Sequence, residues 1–299
     1  MGLFSSKPEI SVVIPAYNEQ DAVAPTINGV REALTASGLK FEIITVDDGS
    51  ADGTAAAAEA AGSRVLRHPV NRGYGRTLLS GIEAAAHEWV LIIDADGSYP
   101  PAEIAKLLPH IPAFDMVIGA RQGKLFWGSY VKAFMRWTYL SLARFVAGEH
   151  IPDANSGLRV FRKSAVENMP IMCFGYSFTT TMTLSLLSAG KFVRFEPIEF
   201  TDRVGSSKVK PVRDILRTLQ IMTQVVLHYN PLKFAATLAS FPALLAAAAG
   251  ALFLSPCGRD LHAILAGLLG GLAALIFLAG CVLQSMKTLL GKNDRRSEK

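Results

Sequence analysis

Two aspartates, Asp94 and Asp96, directly follow an apolar run in the stretch WVLIIDADGSYPP. Carboxylates that converge repel each other unless a cation lies between them. Hard oxygen ligands suit Mg²⁺ or Mn²⁺, and a magnesium ion held by one or two carboxylates completes its shell with water and substrate phosphates. The pair therefore predicts a metal that carries a diphosphate, although the same residues are also typical of a simple turn.

The elements that must position these aspartates alternate between short apolar strands and helices. Strands are predicted in ISVVIPAYNE, FEIITVDDGS, SRVLRHP and EWVLIIDADGS, with helices in the segments between them. This βαβα order indicates an α/β fold with a mostly parallel sheet covered by helices on both faces. Ligands of such sheets bind outside the carboxyl ends of the strands. The polar clusters at 17–19, 47–50 and 94–98 should therefore meet along one edge.

Two common nucleotide-binding motifs are excluded by the sequence. The pattern G-x-x-x-x-G-K-[ST] does not occur, and GYGRTL has two glycines of the dinucleotide motif without the third. NRGYGRTLLSG still offers a helix N-terminus and cationic side chains to an anion. The alternative is that Gly73 and Gly75 simply make a turn.

The C-terminal third of the chain is unusually apolar. No Asp, Glu, Lys or Arg occurs from 234 to 257 or from 263 to 286, and a helix of roughly 20 residues crosses the hydrocarbon layer. We predict two transmembrane helices joined by the turn SPCGRD, the alternative being two buried core helices. Gly267 and Gly271 form a G-x-x-x-G motif, which we expect to pack the hairpin internally rather than to join protomers.

Cationic residues flank these helices asymmetrically. Arg259 is the single Lys or Arg in the turn SPCGRD, whereas several cations lie outside the two helices. Because cationic loops stay on the cytoplasmic side, both termini are expected in the cytoplasm. A net charge of +5 at pH 7 then indicates anionic lipid rather than nucleic acid as the partner. The cations before and after the two helices are Lys208, Lys210, Arg213, Arg217 and Lys233, and Lys287, Lys292, Arg295 and Arg296.

The segment before the first apolar helix has a helical period. Ile215, Leu219, Met222 and Val226 are spaced to share one face, so this helix should lie in the headgroup plane. Three cysteines without metal-ligand spacing give no indication of a zinc site or a disulfide framework.

A set of motifs resembles one known family. VVIPAYNE, VDDGSADGT, IIDADGSYPP, VIGAR and IPDANSGLRVFRK stand in the order and approximate spacing of family 2 glycosyltransferases, in the branch that glycosylates polyprenyl (dolichyl) phosphate with mannose or glucose. The resemblance covers residues 8–210. It implies a GT-A nucleotide-sugar-binding fold and a membrane-anchored, inverting hexosyltransferase. Such an enzyme uses Mg²⁺ or Mn²⁺, a GDP-mannose or UDP-hexose donor and a polyprenyl phosphate on the cytoplasmic face.

The resemblance also implies roles for individual residues. Asp94 and Asp96 would hold the metal and diphosphate, with Asp96 also counted as catalytic. Some relatives have a glutamine as a further metal ligand where this chain has Ser98. The residues that would bind the nucleoside or nucleotide are Pro15, Tyr17, Glu19, Asp48 and Gly73.

The acceptor chemistry follows from charge. A phosphate monoester is largely dianionic at neutral pH because its second pKa is about 6, so no strong base is required. Bringing a dianion to a negative donor does require cations. Asp153 matches an aspartate that relatives place near the acceptor, where it would orient the phosphate or act as a weak base, unless it caps a turn. The candidate acceptor-phosphate residues are Arg121, Arg136, Arg203, Ser206 and Lys208.

Three functions remain open at this point. The first is the polyprenyl-phosphate hexosyltransferase, with a catalytic domain at 1–210, an amphipathic helix at 211–231, a membrane hairpin at 232–288 and a cytoplasmic tail at 289–299. A homo-oligomer is a candidate assembly for this enzyme. The second is a processive polysaccharide synthase, which should have a Q-x-x-R-W motif, whereas AFMRW has Ala133 in place of the glutamine. The third is a non-catalytic nucleotide-sugar-binding scaffold. Arg203 and Lys208 also fit a basic cluster that merely attracts anionic lipid.

Overall fold

The computed structural model describes residues 8–167, 169, 178–202, 211–252 and 259–297. The chain divides into two compact units, Met1–Met222 and Thr223–Lys299. The first unit contains a sheet, and the second contains two long apolar helices. The domain boundaries given by the sequence stay predictions.

The strands of the first unit are short and follow the predicted alternation with helices. They are β1 (Glu9–Ala16), β2 (Lys40–Asp47), β3 (Arg64–Arg67), β4 (Trp89–Ile92), β5 (Met116–Arg121), β6 (Arg159–Arg162) and β7 (Val193–Ile198). The helices up to the end of this sheet are α1 (Val23–Ser37), α2 (Thr54–Ala60), α3 (Tyr74–Ala84), α4 (Ile104–Leu107), α5 (Gly123–Trp127), α6 (Tyr130–Ala147), α7 (Lys163–Glu167) and α8 (Phe178–Ser188).

The described strands form one seven-stranded sheet in the order β3-β2-β1-β4-β6-β5-β7. All neighbouring strands are parallel except β6, which runs antiparallel to β4 and to β5. The prediction of a mostly parallel sheet is confirmed. The reversed strand was not predicted.

Helices pack on both faces of this sheet because its central strands are apolar on both sides. On one face Ile14 of β1 lies in a core with Ile27 of α1, and on the other Val13 lies in a core with Leu78 of α3. Burying an aliphatic side chain of this size stabilises the fold by about 1.5–3 kcal/mol. A Cβ at Gly81 would lie 2.3 Å from a methyl group of Val13, so α3 packs closely on the sheet.

The direction of β6 decides which segments meet at the carboxyl edge of the sheet. Arg159, at the start of β6, pairs with Ile92 at the end of β4 and with Ile118 of β5. The residues just before β6 therefore lie at the edge where the parallel strands end. This is the edge at which ligands of α/β sheets bind.

The remaining helices are α9 (Pro211–Tyr229), α10 (Pro231–Leu252) and α11 (Arg259–Ser297). Two stretches, Pro231–Leu252 and Asp260–Lys287, are long and apolar enough to cross a membrane. Large apolar side chains on both are exposed, such as Phe241 and Leu268, which argues against buried core helices.

The helices α10 and α11 pack along each other, but not through the predicted motif. Gly280 makes the close contact, since a Cβ there would lie 2.2 Å from the Cβ of Ala235. Among the described residues no atom lies within 4 Å of a Cβ built at Gly267 or Gly271. The prediction that the G-x-x-x-G motif packs the hairpin is therefore wrong, because these two glycines lie on a different face of α11.

The predicted apolar face of α9 is buried only in part. Met222 and Val226 are buried, whereas Leu219 is 45% exposed. Ile221 and Val225 are buried instead. The side chain of Ile215 lies outside the described residues.

Candidate active site

Asp94 and Asp96 lie just beyond the end of β4, where both side chains are half-buried. The Tyr74 hydroxyl donates to Asp94 Oδ1 over 2.7 Å. The Ser98 backbone N–H donates to Asp96 Oδ1 over 3.1 Å, and the Ser98 hydroxyl also donates to this oxygen. These three groups are uncharged, so they orient the carboxylates without neutralising them. In this arrangement Ser98 supports Asp96.

The surroundings of Asp94 fit a metal that also binds a ligand. A Cβ on Gly157 would lie 2.2 Å from Asp94 Oδ2, so only a glycine permits this approach. Within the described ranges no group of three or more His, Cys, Asp or Glu residues is placed to hold a metal ion. Two carboxylates are what a magnesium site needs when water and a diphosphate complete the shell. Asp94 and Asp96 therefore fit Mg²⁺ or Mn²⁺ together with a substrate.

The loops after β1 and β2 are joined by reciprocal hydrogen bonds. The Asn18 N–H donates to Ser50 Oγ over 2.9 Å, and the Ala51 N–H donates to Asn18 Oδ1 over 2.9 Å. Asn18 has a φ of 51°, a left-handed conformation that asparagine tolerates better than most residues. The Glu19 N–H donates to Thr54 Oγ1 over 2.8 Å. The predicted nucleoside residues Tyr17 and Glu19 are thus half-buried on a fixed loop, whereas Pro15 is buried in β1.

Asp48 and Gly73, two residues predicted to bind the nucleotide, contact each other. The N–H groups of Arg72 and Gly73 donate to the buried Asp48 carboxylate over 2.9 and 2.8 Å. His68 Nδ1 lies 2.7 Å from Asp48 Oδ1, and its Nε2 lies 3.0 Å from Ser80 Oγ. Asp48 therefore holds the loop before α3 against the end of β2. An anion that bound at the N-terminus of α3 would lie beside the Asp48 carboxylate.

Asp153 and Arg121 form a buried ion pair at the same edge of the sheet. Arg121 Nε donates to Asp153 Oδ2 over 2.7 Å, and Arg121 Nη2 donates to Oδ1 over 3.0 Å. The backbone N–H groups of Arg121 and Asn155 donate to the same carboxylate. Burial by itself would raise the pKa of Asp153, but the Arg121 charge and these hydrogen bonds outweigh it and lower the pKa. Asp153 is therefore a stable anion that fixes Arg121 and is poorly suited to act as a base.

Arg121 and Arg136 lie against one aromatic ring. The guanidinium carbon of Arg121 is 5.2 Å from the Phe126 ring centroid, and that of Arg136 is 4.2 Å from it. Arg121 also lies 5.3 Å from the centroid of Phe200. Burial, followed by the nearby Arg121 charge, lowers the pKa of Arg136, which remains a cation at neutral pH. The structure thus brings two of the predicted acceptor residues together.

Tyr99 links the carboxylate and arginine sides of the site. The Gly157 N–H donates to the Tyr99 hydroxyl oxygen over 2.7 Å, and the Tyr99 ring packs edge-on against Phe200 at 5.4 Å. Burial raises the pKa of Tyr99 to about 12, so this side chain stays a neutral phenol. The centroid of the same Phe200 ring lies 5.3 Å from the Arg121 guanidinium carbon. The two sides therefore form one continuous site.

Three predicted acceptor residues, Arg203, Ser206 and Lys208, lie outside the described residues. The chain leading towards them is anchored on the aspartate loop, since the Thr201 N–H donates to Ser98 O over 3.0 Å. The Thr201 hydroxyl donates to Gly97 O over 3.0 Å.

Sequence reasoning missed Tyr74, Tyr99, Phe126 and His68. Tyr74 lies in the glycine-containing segment NRGYGRTLLSG, and Tyr99 comes shortly after the two aspartates. Their positions next to predicted site residues could have indicated both. Phe126 and His68 had none, because their partners come from other elements.

The chain is similar to known proteins in sequence and in fold. Residues 11–169 match the family described as glycosyl transferase family 2. The chain belongs to family 2 of the glycosyltransferases. Among its relatives in this family is an undecaprenyl-phosphate mannosyltransferase of Micrococcus luteus, 29% identical over 67% of this chain and 87% of that protein. Another is an undecaprenyl-phosphate 4-deoxy-4-formamido-L-arabinose transferase of Klebsiella pneumoniae, 30% identical over 82% of this chain and 75% of that protein.

A solved structure shares the fold of this family 2 chain. Glucosyl-3-phosphoglycerate synthase from Mycobacterium tuberculosis, in complex with Mn²⁺, uridine diphosphate and glucosyl-3-phosphoglycerate, has a TM-score of 0.56 at 21% identity. The alignment covers 74% of this chain and 78% of that one. The likeness establishes the fold of the sheet-containing unit.

Proposed function

We propose that the protein transfers one hexose from a nucleotide sugar to a polyprenyl phosphate, with inversion, at the cytoplasmic face of a membrane. The proposal is supported by family membership and by the two relatives named above, whose names specify undecaprenyl phosphate as the acceptor. The donor is GDP-mannose or a UDP-hexose, and the metal is Mg²⁺ or Mn²⁺.

The donor half is built around Asp94 and Asp96. A divalent ion bound there would neutralise the diphosphate of the donor and assist its departure as a leaving group. Tyr74 and Ser98 orient the two carboxylates for this task. Tyr17, Glu19 and Asp48 belong to the loops that would line the nucleoside pocket, with Asp48 acting through the loop at 72–73.

The acceptor half is built around Arg121 and Arg136, and their arrangement is the observation that carries the proposal. Two cations against one ring, beside the carboxylates that would hold the donor, can bind a phosphate dianion while it approaches a second anion. The acceptor phosphate is already nucleophilic at neutral pH, because its second pKa is about 6. Asp153 acts as the positioning partner of Arg121 and takes no proton.

The lipid part of the acceptor fits an exposed apolar surface next to these arginines. Large apolar side chains on α5 and α6 are exposed to solvent, among them Tyr130 at 95%. A single exposed residue needs no explanation, but a contiguous set marks an interaction site. The members are Leu125, Trp127, Tyr130, Val131, Phe134, Met135 and Trp137.

The membrane topology rests on charge and length. The two apolar helices would anchor the enzyme, and the cationic flanks would keep the catalytic unit and both termini on the cytoplasmic side. Arg203, Ser206 and Lys208 stay predicted acceptor residues at this boundary.

The test is a turnover assay on the full chain in detergent. A short polyprenyl phosphate, Mg²⁺ or Mn²⁺, and a panel of GDP-mannose, UDP-glucose, UDP-galactose and UDP-GlcNAc are incubated with the enzyme, and products are identified by mass spectrometry. A single-sugar lipid phosphate that disappears with a chelator is the expected product. A lengthening sugar chain would indicate a processive synthase instead, and metal-dependent binding without turnover would indicate a scaffold.

A further inference from the structure

The segment that precedes β6 runs between the two halves of the site. Asp153 at its start binds Arg121, and Gly157 at its end lies against Asp94. Asn155 is midway between them, and its side chain is exposed. The Gly157 N–H also donates to the Tyr99 hydroxyl over 2.7 Å, which joins the end of this segment to the chain that follows the aspartates. Asn155 therefore lies between the residue that fixes Arg121 and the residue that packs against Asp94.

The amide of Asn155 is held in one orientation. Its Oδ1 accepts hydrogen bonds from the hydroxyls of Thr179 and Thr180, the second over 3.4 Å, and both threonines are buried at the start of α8. The Tyr139 hydroxyl lies 2.7 Å from Thr180 Oγ1 and supports this threonine in turn. The Asn155 backbone N–H is fixed as well, since it donates to Asp153 Oδ1 over 3.1 Å.

This orientation leaves the NH₂ group of Asn155 as the side-chain donor available to a ligand. An asparagine amide has one acceptor oxygen and an NH₂ group with two donors. With the oxygen bonded to α8, the NH₂ group faces away from that helix, and the described residues provide no partner for it. An exposed asparagine held by two buried hydroxyls has lost its rotamer freedom before any ligand binds, which lowers the entropic cost of a contact.

We propose that the Asn155 side-chain NH₂ group donates a hydrogen bond to a hydroxyl of the transferred sugar and thereby contributes to donor specificity. This inference rests on the proposed function. The charges of the possible ligand groups decide which of them the Asn155 amide would contact. In the proposed function the diphosphate binds at the Asp94–Asp96 metal site, and the acceptor phosphate binds Arg121 and Arg136. A neutral amide between these two charged sites is suited to the uncharged part of the donor, which is the sugar.

The decisive experiment is a double-mutant cycle between Asn155→Ala and the sugar hydroxyls. The natural donor, chosen as the panel member that turns over, is compared with analogues that each lack one hydroxyl. For one analogue the wild-type enzyme should lose about 10-fold in kcat/KM, the size of one hydrogen bond, whereas Asn155→Ala should show almost no further loss. Asn155→Asp keeps the acceptor oxygen for Thr179 but adds a charge, and it should lose more than Asn155→Ala.

A binding measurement makes the test independent of turnover. By calorimetry on the full chain, Asn155→Ala should weaken the tightest-binding nucleotide sugar of the panel about 10-fold and leave the matching nucleoside diphosphate unchanged. Thr179→Val, which removes only the orienting hydroxyl, should weaken the nucleotide sugar by a smaller factor. Asn28→Ala, at an exposed asparagine of α1, is the matched control for substitution itself.

The outcomes separate this inference from the proposed function. If no polyprenyl phosphate is glycosylated but the selective loss of sugar binding is found, the inference holds and the proposed acceptor fails. If the loss of each hydroxyl lowers kcat/KM by the same factor in the wild-type enzyme and in Asn155→Ala, the inference is overturned. It is also overturned if Asn155→Ala raises the KM of the acceptor alone, because the amide then contacts the acceptor phosphate.

Discussion

The aspartates on the two sides of the site have opposite environments. Asp94 and Asp96 are half-buried and receive hydrogen bonds from the neutral groups of Tyr74 and Ser98. Asp153 is buried, and its carboxylate accepts a bidentate pair of hydrogen bonds from Arg121. Identical side chains thus differ in their proposed roles: the first two would hold the metal of a ligand, whereas the third positions the Arg121 cation.

The largest effect is expected on the donor side. Asp96→Asn keeps the shape of the side chain but removes the charge that would hold a metal, so kcat/KM should fall by about 10³-fold. The measurement is the turnover assay, with Asp21→Asn at an exposed position as the matched control. Full activity of Asp96→Asn would remove Asp96 from the metal site and would break the comparison.

On the acceptor side the first expected effect is on stability. Arg121→Gln leaves the Asp153 carboxylate buried without its counter-charge, which should cost about 3 kcal/mol or more of the free energy of unfolding. Thermal unfolding in detergent measures this loss as a lower melting temperature. Asp96→Asn should leave the melting temperature nearly unchanged, because Asp96 is only half-buried and an amide oxygen can accept the Ser98 hydrogen bonds in place of the carboxylate. Equal losses for both variants would contradict the contrast between the two sides.

The same ion pair predicts a pH dependence. The pKa of Asp153 is below its unfolded value of about 3.9, because the Arg121 charge outweighs the burial that would raise it. A lowered pKa gives stability that is present above the unfolded pKa and is lost as the pH falls through the folded one. The gap in melting temperature between wild type and Asp153→Asn should therefore be constant above about pH 5 and shrink below about pH 4. A gap that is unchanged across this range would mean that the charge of Asp153 does not stabilise the fold.

A smaller effect is expected from Arg136. It packs on Phe126 but forms no ion pair with the part of the chain that the structure describes, so Arg136→Gln should fold normally. The KM for polyprenyl phosphate should rise about 10-fold, in line with the loss of one charged hydrogen bond. A change in the KM of the nucleotide sugar instead would move Arg136 to the donor side.

The smallest effect is expected from Tyr74. Tyr74→Phe removes the hydroxyl that orients Asp94 and should raise the metal concentration needed for half-maximal activity about 5-fold. Titration with Mg²⁺ measures the shift. Thr35→Val, which removes an exposed hydroxyl on α1, is the control, and an unshifted titration for Tyr74→Phe would show that Asp94 needs no such support.

The sequence was most informative where the determinants are local. A polar cluster directly after an apolar strand marks a strand end, and this was enough to place Asp94 and Asp96 correctly on the sheet edge. The pairing of Arg121 with Asp153 depends on the reversed direction of β6, which follows from tertiary pairing with β4 and β5. No local pattern marks that reversal.

The same distinction explains the packing error in the apolar helices. A small-residue motif shows that close packing is possible at Gly267 and Gly271, but not which face of α11 meets α10. The contact was decided by the hairpin geometry, which brought Gly280 against Ala235. Asp48 and Gly73 are an intermediate case. The nucleotide-binding role that was expected for both stays a prediction, and no sequence pattern could reveal that the Gly73 N–H donates to the Asp48 carboxylate.

The close approach of Gly157 to Asp94 has an evolutionary consequence. Any side chain at 157 would occupy the volume of the carboxylate, since its Cβ would fall 2.2 Å from Oδ2. The two positions cannot drift independently. In descendants of this protein that no longer transfer sugars, residues other than glycine should occur at position 157 once Asp94 has been replaced. The identities of these two residues would then indicate whether a descendant has lost the activity.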